Sequence, residues 1–161
     1  MHSFQSHFML TLGLTFLASV SYGQQPSNSD EDAVKNVVTA FLHRMGTYDL
    51  EAIPELFAPN ANIGALSRRD GDWRSATYTL DEFLARVGSS KDRIPYEEPV
   101  QQWTVHVDNG NLAFALADAH VLREGRFRSH NLDYFILMKI DGDWKILSGA
   151  YTATPMESTA E

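Results

Sequence analysis

Apolar and polar residues alternate along most of the chain after residue 99, and three dipeptides ending in glycine interrupt this alternation. They are Asn109-Gly110, Glu124-Gly125 and Asp141-Gly142, and dipeptides of this kind favour tight turns between antiparallel strands. A period of two residues is typical of strands with two distinct faces. We therefore predict an antiparallel meander of four strands, at residues 100–108, 111–123, 126–140 and 143–154.

Upstream of the meander the apolar spacing is helical. Apolar residues recur every three or four positions, which predicts a helix with one buried face; they are Val34, Val37, Val38, Phe41, Leu42 and Met45. Asp30 is placed to cap the start of this helix, and Gly46 is placed to end it.

Two shorter helices are also predicted. The one at residues 49–57 contains Pro54, which should kink or shorten it, and Thr79 should cap the other, at residues 80–87. Two short strands are expected at residues 60–65 and 73–79. Helices that precede a run of strands favour an α+β domain, in which three N-terminal helices pack on one face of a curved, mostly antiparallel sheet.

The N-terminal segment differs from this domain, which we place at residues 30–154. Residues 8–20 form an apolar run that is short for a bilayer span, and the small residues Ser21 and Gly23 follow it. We predict a signal peptide at residues 1–23, cleaved near Gly23 and Gln24. The mature protein would then be secreted or periplasmic, with no stable membrane insertion; the alternative is an N-terminal membrane anchor.

The two remaining segments are predicted to lack fixed structure. Residues 24–29 are rich in Gln, Ser, Asn and Pro and are expected to form a flexible leader, and residues 155–161 a disordered tail. The chain has no cysteine, so the exported domain must be stable without disulfides.

The charge balance disfavours a nucleic-acid partner. The chain has 21 acidic and 13 basic residues and a formal net charge of −8, which repels a phosphate backbone. A local basic group, Arg123, Arg126 and Arg128, flanks one predicted turn and is more simply explained by solvation.

The turn at Glu124-Gly125 suggests how two strands of the meander pair. If Glu124-Gly125 is a two-residue turn, Arg123 pairs with Arg126, and one face carries an alanine row opposite large side chains. The alanines are Ala113, Ala115, Ala117 and Ala119, and the facing residues are His130, Leu132, Tyr134, Ile136 and Met138. Small residues opposite large ones leave room for helix side chains or for a ligand. A slip of one residue would exchange the two faces.

The second face is apolar too, and the chain has only enough helix to cover one face. It is predicted to carry Leu112, Phe114, Leu116, Phe135 and Leu137. We therefore predict a homodimer joined through this face. Polar contacts at its edge are expected from Asp118, His120 and Asp133.

Three segments resemble one protein superfamily. They are Asp-Leu-Glu-Ala-Ile at residues 49–53, Leu-Phe-Ala-Pro-Asn-Ala at 56–61, and Leu-Met-Lys-Ile-Asp-Gly-Asp-Trp-Lys-Ile at 137–146. With the order of helices, they make residues 30–154 similar to the nuclear transport factor 2-like superfamily, and within it to SnoaL-like proteins of unknown role. The resemblance implies a cone-shaped fold, with a pocket between helices and concave sheet and commonly a dimer through the convex side.

This superfamily includes ketosteroid isomerase, which uses an Asp base together with a Tyr and a protonated Asp as oxyanion donors. By position, the Tyr falls on Phe41, the base on Ala65 and the oxyanion Asp on Ile136. None of the three is retained, so the resemblance does not extend to that chemistry.

The candidate pocket follows from the predicted face and the resemblance. The residues expected to line it are Phe41, Trp103, Ala115, Ala117, Ala119, His130, Leu132, Tyr134, Ile136, Ser148 and Thr152. We predict that the pocket binds an unidentified small, mostly apolar molecule. Two alternatives stay open: an acid/base lyase, isomerase or hydrolase using His130 and Tyr134, and a structural dimer module whose cavity is filled by side chains. The alternative to a catalytic role for His130 and Tyr134 is that they only hydrogen-bond at a polar end of the core.

No cofactor or metal is expected. His106 and His120 are displaced along their strands, and no pair of residues has the spacing of a metal motif. Tyr48 and the loop at residues 67–72 are weaker candidates for the pocket mouth, since a charged loop is usually only solvated.

Overall fold

The computed structural model describes residues 28–69, 71–91 and 93–156 of the chain. The predicted signal peptide, most of the predicted leader and residues 157–161 of the predicted tail lie outside the described residues. The described part forms two α-helices, one 3-10 turn and a six-stranded sheet.

The sheet has the strand order β2-β1-β6-β5-β4-β3. All neighbouring strands are antiparallel except β1 and β6, which run parallel. The strands are β1 (Phe57–Arg69), β2 (Asp72–Thr79), β3 (Val100–Asp108), β4 (Leu112–Arg123), β5 (Arg126–Ile140) and β6 (Asp143–Pro155). The predicted meander is confirmed as β3 to β6. Strand β1 is longer than predicted because it pairs on both sides, with β2 and β6.

The prediction of three helices is wrong by one. The α-helices are α1 (Asn28–Thr47) and α2 (Leu80–Gly88). Where the middle helix is predicted, the chain makes only a 3-10 turn at Ile53–Leu56, with Pro54 in its first turn. Proline cannot donate a backbone hydrogen bond, and the backbone is already extended at Phe57, where β1 begins.

One of the two predicted helix starts is confirmed. The Thr79 hydroxyl accepts a hydrogen bond from Glu82 N at 3.3 Å, and Glu82 Oε2 accepts one from Thr79 N at 2.9 Å. Each of these residues therefore satisfies a backbone donor of the other. Helix α1 instead begins at Asn28, so Asp30 is not its cap, and Asn28 and Ser29 of the predicted leader belong to the helix. Asp30 Oδ1 accepts a hydrogen bond from Lys139 Nζ at 2.7 Å, which ties the start of α1 to β5.

The pairing of β4 with β5 begins as predicted and then shifts. Arg123 faces Arg126, but two pairs further on Val121 faces Ser129, and Arg128 is left as an extra residue in β5. This is a β-bulge, and it moves all later pairs by one position. Such a shift turns every following side chain to the other face of the sheet.

The predicted face of β5 is therefore wrong. Ala115 faces Phe135, and Ala117 faces Asp133. These residues lie on the inner face of the sheet, the face covered by the helices. The outer face carries the residues that were assigned to the pocket side, including Tyr134 and Ile136.

Helix α1 packs its apolar stripe on the inner face. Val34 and Val38 of α1 are fully buried, and so are Ala115 and Ala117 of β4 in the same core. The space left by the alanine row is thus filled largely by helix side chains. The outer face remains uncovered, with Leu112, Tyr134 and Ile136 exposed by 46%, 38% and 36%.

Candidate functional site

Residues 95–99, called the strap below, form the last part of the connection between α2 and β3. Glu97 and Leu122 exchange two backbone hydrogen bonds, of 2.9 and 2.8 Å, which attach the strap to β4. Tyr96 N donates to the carbonyl of Gly46 at 3.0 Å, which attaches it to α1. The strap is therefore held at both sides, and it presents Tyr96 and Glu98 to the interior.

Gly46 allows the strap to approach α1 closely. A Cβ atom at this position would overlap the carbonyl oxygen of Tyr96. The prediction that Gly46 ends α1 is wrong, because the helix ends at Thr47 and the left-handed residue that follows is Tyr48, with φ 59°. This conformation is unfavourable for a tyrosine, and it places the Tyr48 ring edge-on to Tyr96, with centroids 6.3 Å apart.

A cavity of about 140 Å³ lies between the two helices, the strap and the inner face of the sheet. We call it the inner pocket. Its lining is apolar on the helix side and polar on the side of the sheet and strap. The lining residues are Phe41, Leu42, Met45, Phe83, Val87, Tyr96, Glu98, Asn131, Asp133 and Tyr151.

Two carboxyl groups lie on the polar side of the inner pocket. Asn131 Nδ2 donates to Glu98 Oε1 at 2.6 Å, and Ser129 Oγ donates to Asn131 Oδ1 at 3.0 Å, so Glu98 is held by a short chain of hydrogen bonds. Asp133 is only 5% exposed, and its Oδ2 has no hydrogen-bond partner among the described residues. A buried polar atom without a partner is costly, and it marks a place where a bound molecule can supply one.

Burial raises the pKa of both carboxyl groups. Desolvation raises the pKa of Asp133 to about 8, and the charge of Glu98 adds to the effect. Desolvation raises the pKa of Glu98 to about 7, although the hydrogen bond from Asn131 acts in the opposite direction. Burial likewise raises the pKa of the Tyr96 and Tyr151 phenols, which keeps both as neutral hydrogen-bond donors. The inner pocket can therefore both donate and accept protons near neutral pH.

A larger cavity of about 760 Å³ adjoins the inner pocket, and we call it the vestibule. The two cavities share the lining residues Met45, Phe83, Val87, Tyr96 and Tyr151. The outer wall of the vestibule is formed by the β1–β2 hairpin and the end of α2. Tyr48 and Arg68, from the two features predicted for a pocket mouth, both line it.

A third cavity, of about 650 Å³, lies on the other side of the strap. It shares Leu42, Tyr96 and Glu98 with the inner pocket, so Glu98 is reached from both sides of the strap. Trp103 lines this outer groove and does not reach the inner pocket.

The structure separates the residues predicted to line the pocket into two groups. Phe41 lines the inner pocket, and Ala115, Ala117 and Ala119 lie fully buried on the inner face. Six others lie on the outer face because of the bulge: His130, Leu132, Tyr134, Ile136, Ser148 and Thr152.

The candidate catalytic pair is thus not brought into the inner pocket. His130 Nε2 is 2.7 Å from Asp118 Oδ1, with which it shares a hydrogen bond, and Tyr134 packs on Phe114 with ring centroids 6.4 Å apart. The shift also changes the comparison with ketosteroid isomerase. Since Ile136 lies outside, it says nothing about acid chemistry in the pocket, and the carboxyl group that β5 supplies there is Asp133.

Sequence reasoning misses the polar residues of the inner pocket. Asp133 was expected at the edge of a dimer face, and Tyr96 and Glu98 lie in a segment that resembles a solvated loop. Two signals point to them. Asp133 lies two and four positions before the apolar residues Phe135 and Leu137, so it belongs to the same face of β5 as they do. The strap sequence Pro-Tyr-Glu-Glu-Pro places one aromatic and two acidic residues between two prolines.

Two further findings concern the described residues as a whole. None of their His, Asp and Glu side chains gather in a group of three that could hold a metal ion. No helix among them is long and apolar enough to cross a bilayer.

The fold is that of the nuclear transport factor 2-like class. A family model described as "Putative lumazine-binding" matches residues 29–152, and the chain belongs to that family. No functionally curated protein matches the chain.

Solved structures with this fold are similar over most of their length. One is a protein of unknown function with a cystatin-like fold from Nostoc punctiforme, 11% identical with a TM-score of 0.67, covering 85% of this chain and 100% of that one. A second, a nuclear transport factor 2-like protein with a cystatin-like fold from Novosphingobium aromaticivorans, is 16% identical with a TM-score of 0.62 and coverages of 83% and 86%. A nuclear transport factor 2-like protein of unknown function from Silicibacter pomeroyi is 17% identical, with a TM-score of 0.58 and coverages of 80% and 99%. At these identities the similarity shows the fold alone.

Proposed function

We propose that this protein binds a small, mostly apolar molecule in the inner pocket and vestibule. The observation that carries the proposal is the Asp133 carboxyl group, which is buried, lacks a partner for Oδ2 among the described residues and lines the inner pocket. A cavity of about 150 Å³ in another protein holds a benzene molecule. The inner pocket, at about 140 Å³, is therefore suited to one ring, and the rest of the ligand would extend into the vestibule.

The family description is consistent with a ligand that contains a planar ring. It names lumazine, a fused-ring heterocycle whose N–H and carbonyl groups would match the mixed donors and acceptors of the inner pocket. The apolar wall formed by Phe41, Met45 and Phe83 suits the faces of a planar ring.

A pocket-filling variant tests this proposal. We expect native mass spectrometry of the protein purified from its own host to show a retained small molecule, and we expect Val87→Trp to lose it because the indole fills the junction of the two cavities. Val87→Leu, which adds one methylene group, and His130→Ala, on the outer face, should keep it. Circular dichroism melts would verify that each variant is folded.

The alternatives make different predictions in the same experiment. A wild-type protein that is consistently empty would contradict the binding proposal and favour a structural module. Retention by Val87→Trp together with loss in His130→Ala would place the ligand on the outer face.

A second candidate function is acid/base catalysis in the same pocket. The observation that favours it is the pair of carboxyl groups with pKa values raised toward neutrality, since one can donate a proton while the other accepts one. Access to Glu98 from the outer groove would let the pair exchange protons with solvent. Conversion of the retained molecule by wild-type protein, with loss of conversion in Asp133→Asn and in Glu98→Gln, would distinguish an enzyme from a binding protein.

We also propose export of the chain and a homodimer through the outer face. Export rests on the signal-like residues 1–23, and an intact mass that begins at Gln24 would support it. The dimer rests on the uncovered apolar outer face, where Leu112, Tyr134 and Ile136 lie exposed.

Light scattering tests the dimer. We expect a dimer at micromolar concentration, and we expect Ile136→Glu to be monomeric because it places a charge in the apolar contact. Ile94→Glu introduces the same group at an exposed residue outside the sheet and should remain dimeric. A monomeric wild-type protein would contradict the proposal.

A further inference from the structure

Three arginines line the vestibule. Arg68 and Arg74 come from the two strands of the β1–β2 hairpin, and Arg86 comes from the last turn of α2. Among the described residues, the lining also includes four serines and four tyrosines, but no Asp or Glu. The described lining of the vestibule is therefore positively charged, although the chain as a whole has a net charge of −8.

No carboxylate among the described residues forms an ion pair with these arginines. Arg68 Nε donates to the carbonyl of Gly71 at 3.3 Å, and the Arg86 guanidinium lies 5.7 Å from the centre of the Tyr78 ring. Elsewhere in the described part basic groups do have acidic partners, such as Asp30 for Lys139. Most of the donors of the three guanidinium groups therefore remain open to a ligand.

Arg68 pairs with Trp73 in the hairpin and Arg74 pairs with Ser67, so of these two only Arg74 shares the inner face with Tyr78, on which Arg86 packs. We propose that the vestibule binds the anionic group of a small organic ligand, held by Arg74 and Arg86, while the apolar part of the same ligand occupies the inner pocket. This inference rests on the proposed function and adds to it the chemical class of the ligand, an organic anion such as a carboxylate or a phosphate ester. A guanidinium group pairs with either of these through two parallel hydrogen bonds.

The two ends of the site also set the orientation of the ligand. Asp133 and Glu98 line the inner pocket, where burial favours the neutral form of a carboxyl group and would disfavour an anionic ligand group in the same way. The arginines line only the vestibule. An anionic ligand therefore enters with its apolar part first and keeps its charged group at the mouth.

A matched pair of probes tests the inference. Naphthoate and naphthamide have the same ring body, and only the first is charged. We expect NMR titrations of wild-type protein to show both probes shifting the amide signals of the inner pocket, with naphthoate bound about tenfold more tightly. In the double variant Arg74→Gln, Arg86→Gln this preference should disappear, while naphthamide binds as before.

A control variant and a salt titration distinguish the effect of the vestibule arginines on binding from the effect of the net charge of the protein. Arg126→Gln removes one charge at an exposed turn residue outside the three cavities and should leave the preference unchanged. Because the arginines are exposed, the preference should also decrease as salt concentration rises.

Failure of the anion site and failure of the proposed pocket would give different results in this experiment. Equal binding of the two probes to wild-type protein would overturn the anion site and leave the proposed pocket intact, as would a preference that survives in the double variant. Binding of neither probe would overturn both proposals. Inorganic phosphate is expected to bind more weakly than naphthoate, and equal or tighter binding would assign the arginines to a free inorganic anion and overturn the organic ligand.

Discussion

Replacing Asp133 with asparagine is expected to make the protein more stable than wild type in alkaline solution and to flatten the pH dependence of its stability. In the native state burial raises the pKa of Asp133 to about 8, whereas the unfolded chain has the ordinary value of 3.8. Between these values the native state holds a proton that the unfolded state has lost. The associated stability is thus fully present below about pH 4 and is lost as the pH rises through about 8.

The size of the effect follows from the one extra proton that Asp133 holds in the native state. Each extra bound proton makes the unfolding free energy fall by about 1.4 kcal/mol per pH unit, so the loss between about pH 5 and pH 8 is on the order of 4 kcal/mol for Asp133. Asparagine mimics the neutral acid and removes this contribution. The part of the pH dependence of stability that comes from Glu98 should remain in the Asp133→Asn variant, since burial raises the pKa of Glu98 as well.

Urea unfolding at several pH values would measure this difference. Asp143→Asn is a matched control, because Asp143 is exposed at the start of β6 and solvated in both states. Its pH dependence should follow wild type. Equal slopes in wild type and Asp133→Asn would show that the carboxyl group is solvated in the native state, which would remove the main support for the inner pocket.

Replacing Gly46 with alanine is the second large expected effect. The new Cβ would overlap the carbonyl oxygen of Tyr96, so the strap or the end of α1 must move. Such overpacking against backbone costs about 3 kcal/mol. Because the strap carries Tyr96 and Glu98, the same displacement should weaken ligand binding.

Gly88→Ala provides the control. Gly88 ends α2, and its added Cβ would make only an ordinary contact, 3.5 Å from Leu50 Cδ1. A glycine to alanine change in a helix without a clash stabilises by about 0.5 to 1 kcal/mol. Thermal or urea unfolding of the two variants should thus move in opposite directions. Similar stabilities of Gly46→Ala and wild type would contradict the close approach of the strap.

Much of the fold could be predicted from local patterns. The turn dipeptides located the strands of the meander, and Thr79 marked the start of α2, because turn and capping preferences act over a few residues. The middle helix was predicted wrongly although Pro54 was visible in the pattern. A weak helical signal there gave way to β1, which gains pairing with both β2 and β6.

The candidate site was predicted far less well. The face of β5 depended on a single extra residue, Arg128, and both faces of that strand carry apolar side chains. The apolar pattern therefore could not select between the two registers. Phe41 was placed in the pocket because a helix of fixed period has only one apolar stripe, and its face does not depend on a partner strand.

The sequence by itself determined the α+β class, the meander and the buried stripe of α1, since these follow from interactions between near neighbours in the chain. Only the tertiary structure decided which face of β5 is covered and how the strap reaches α1 at Gly46. It thereby brought Glu98 and Asp133, 35 positions apart in the numbering, to one pocket. The burial that raises the pKa values of these carboxyl groups comes from packing between distant segments, which the order of residues along any one segment does not contain.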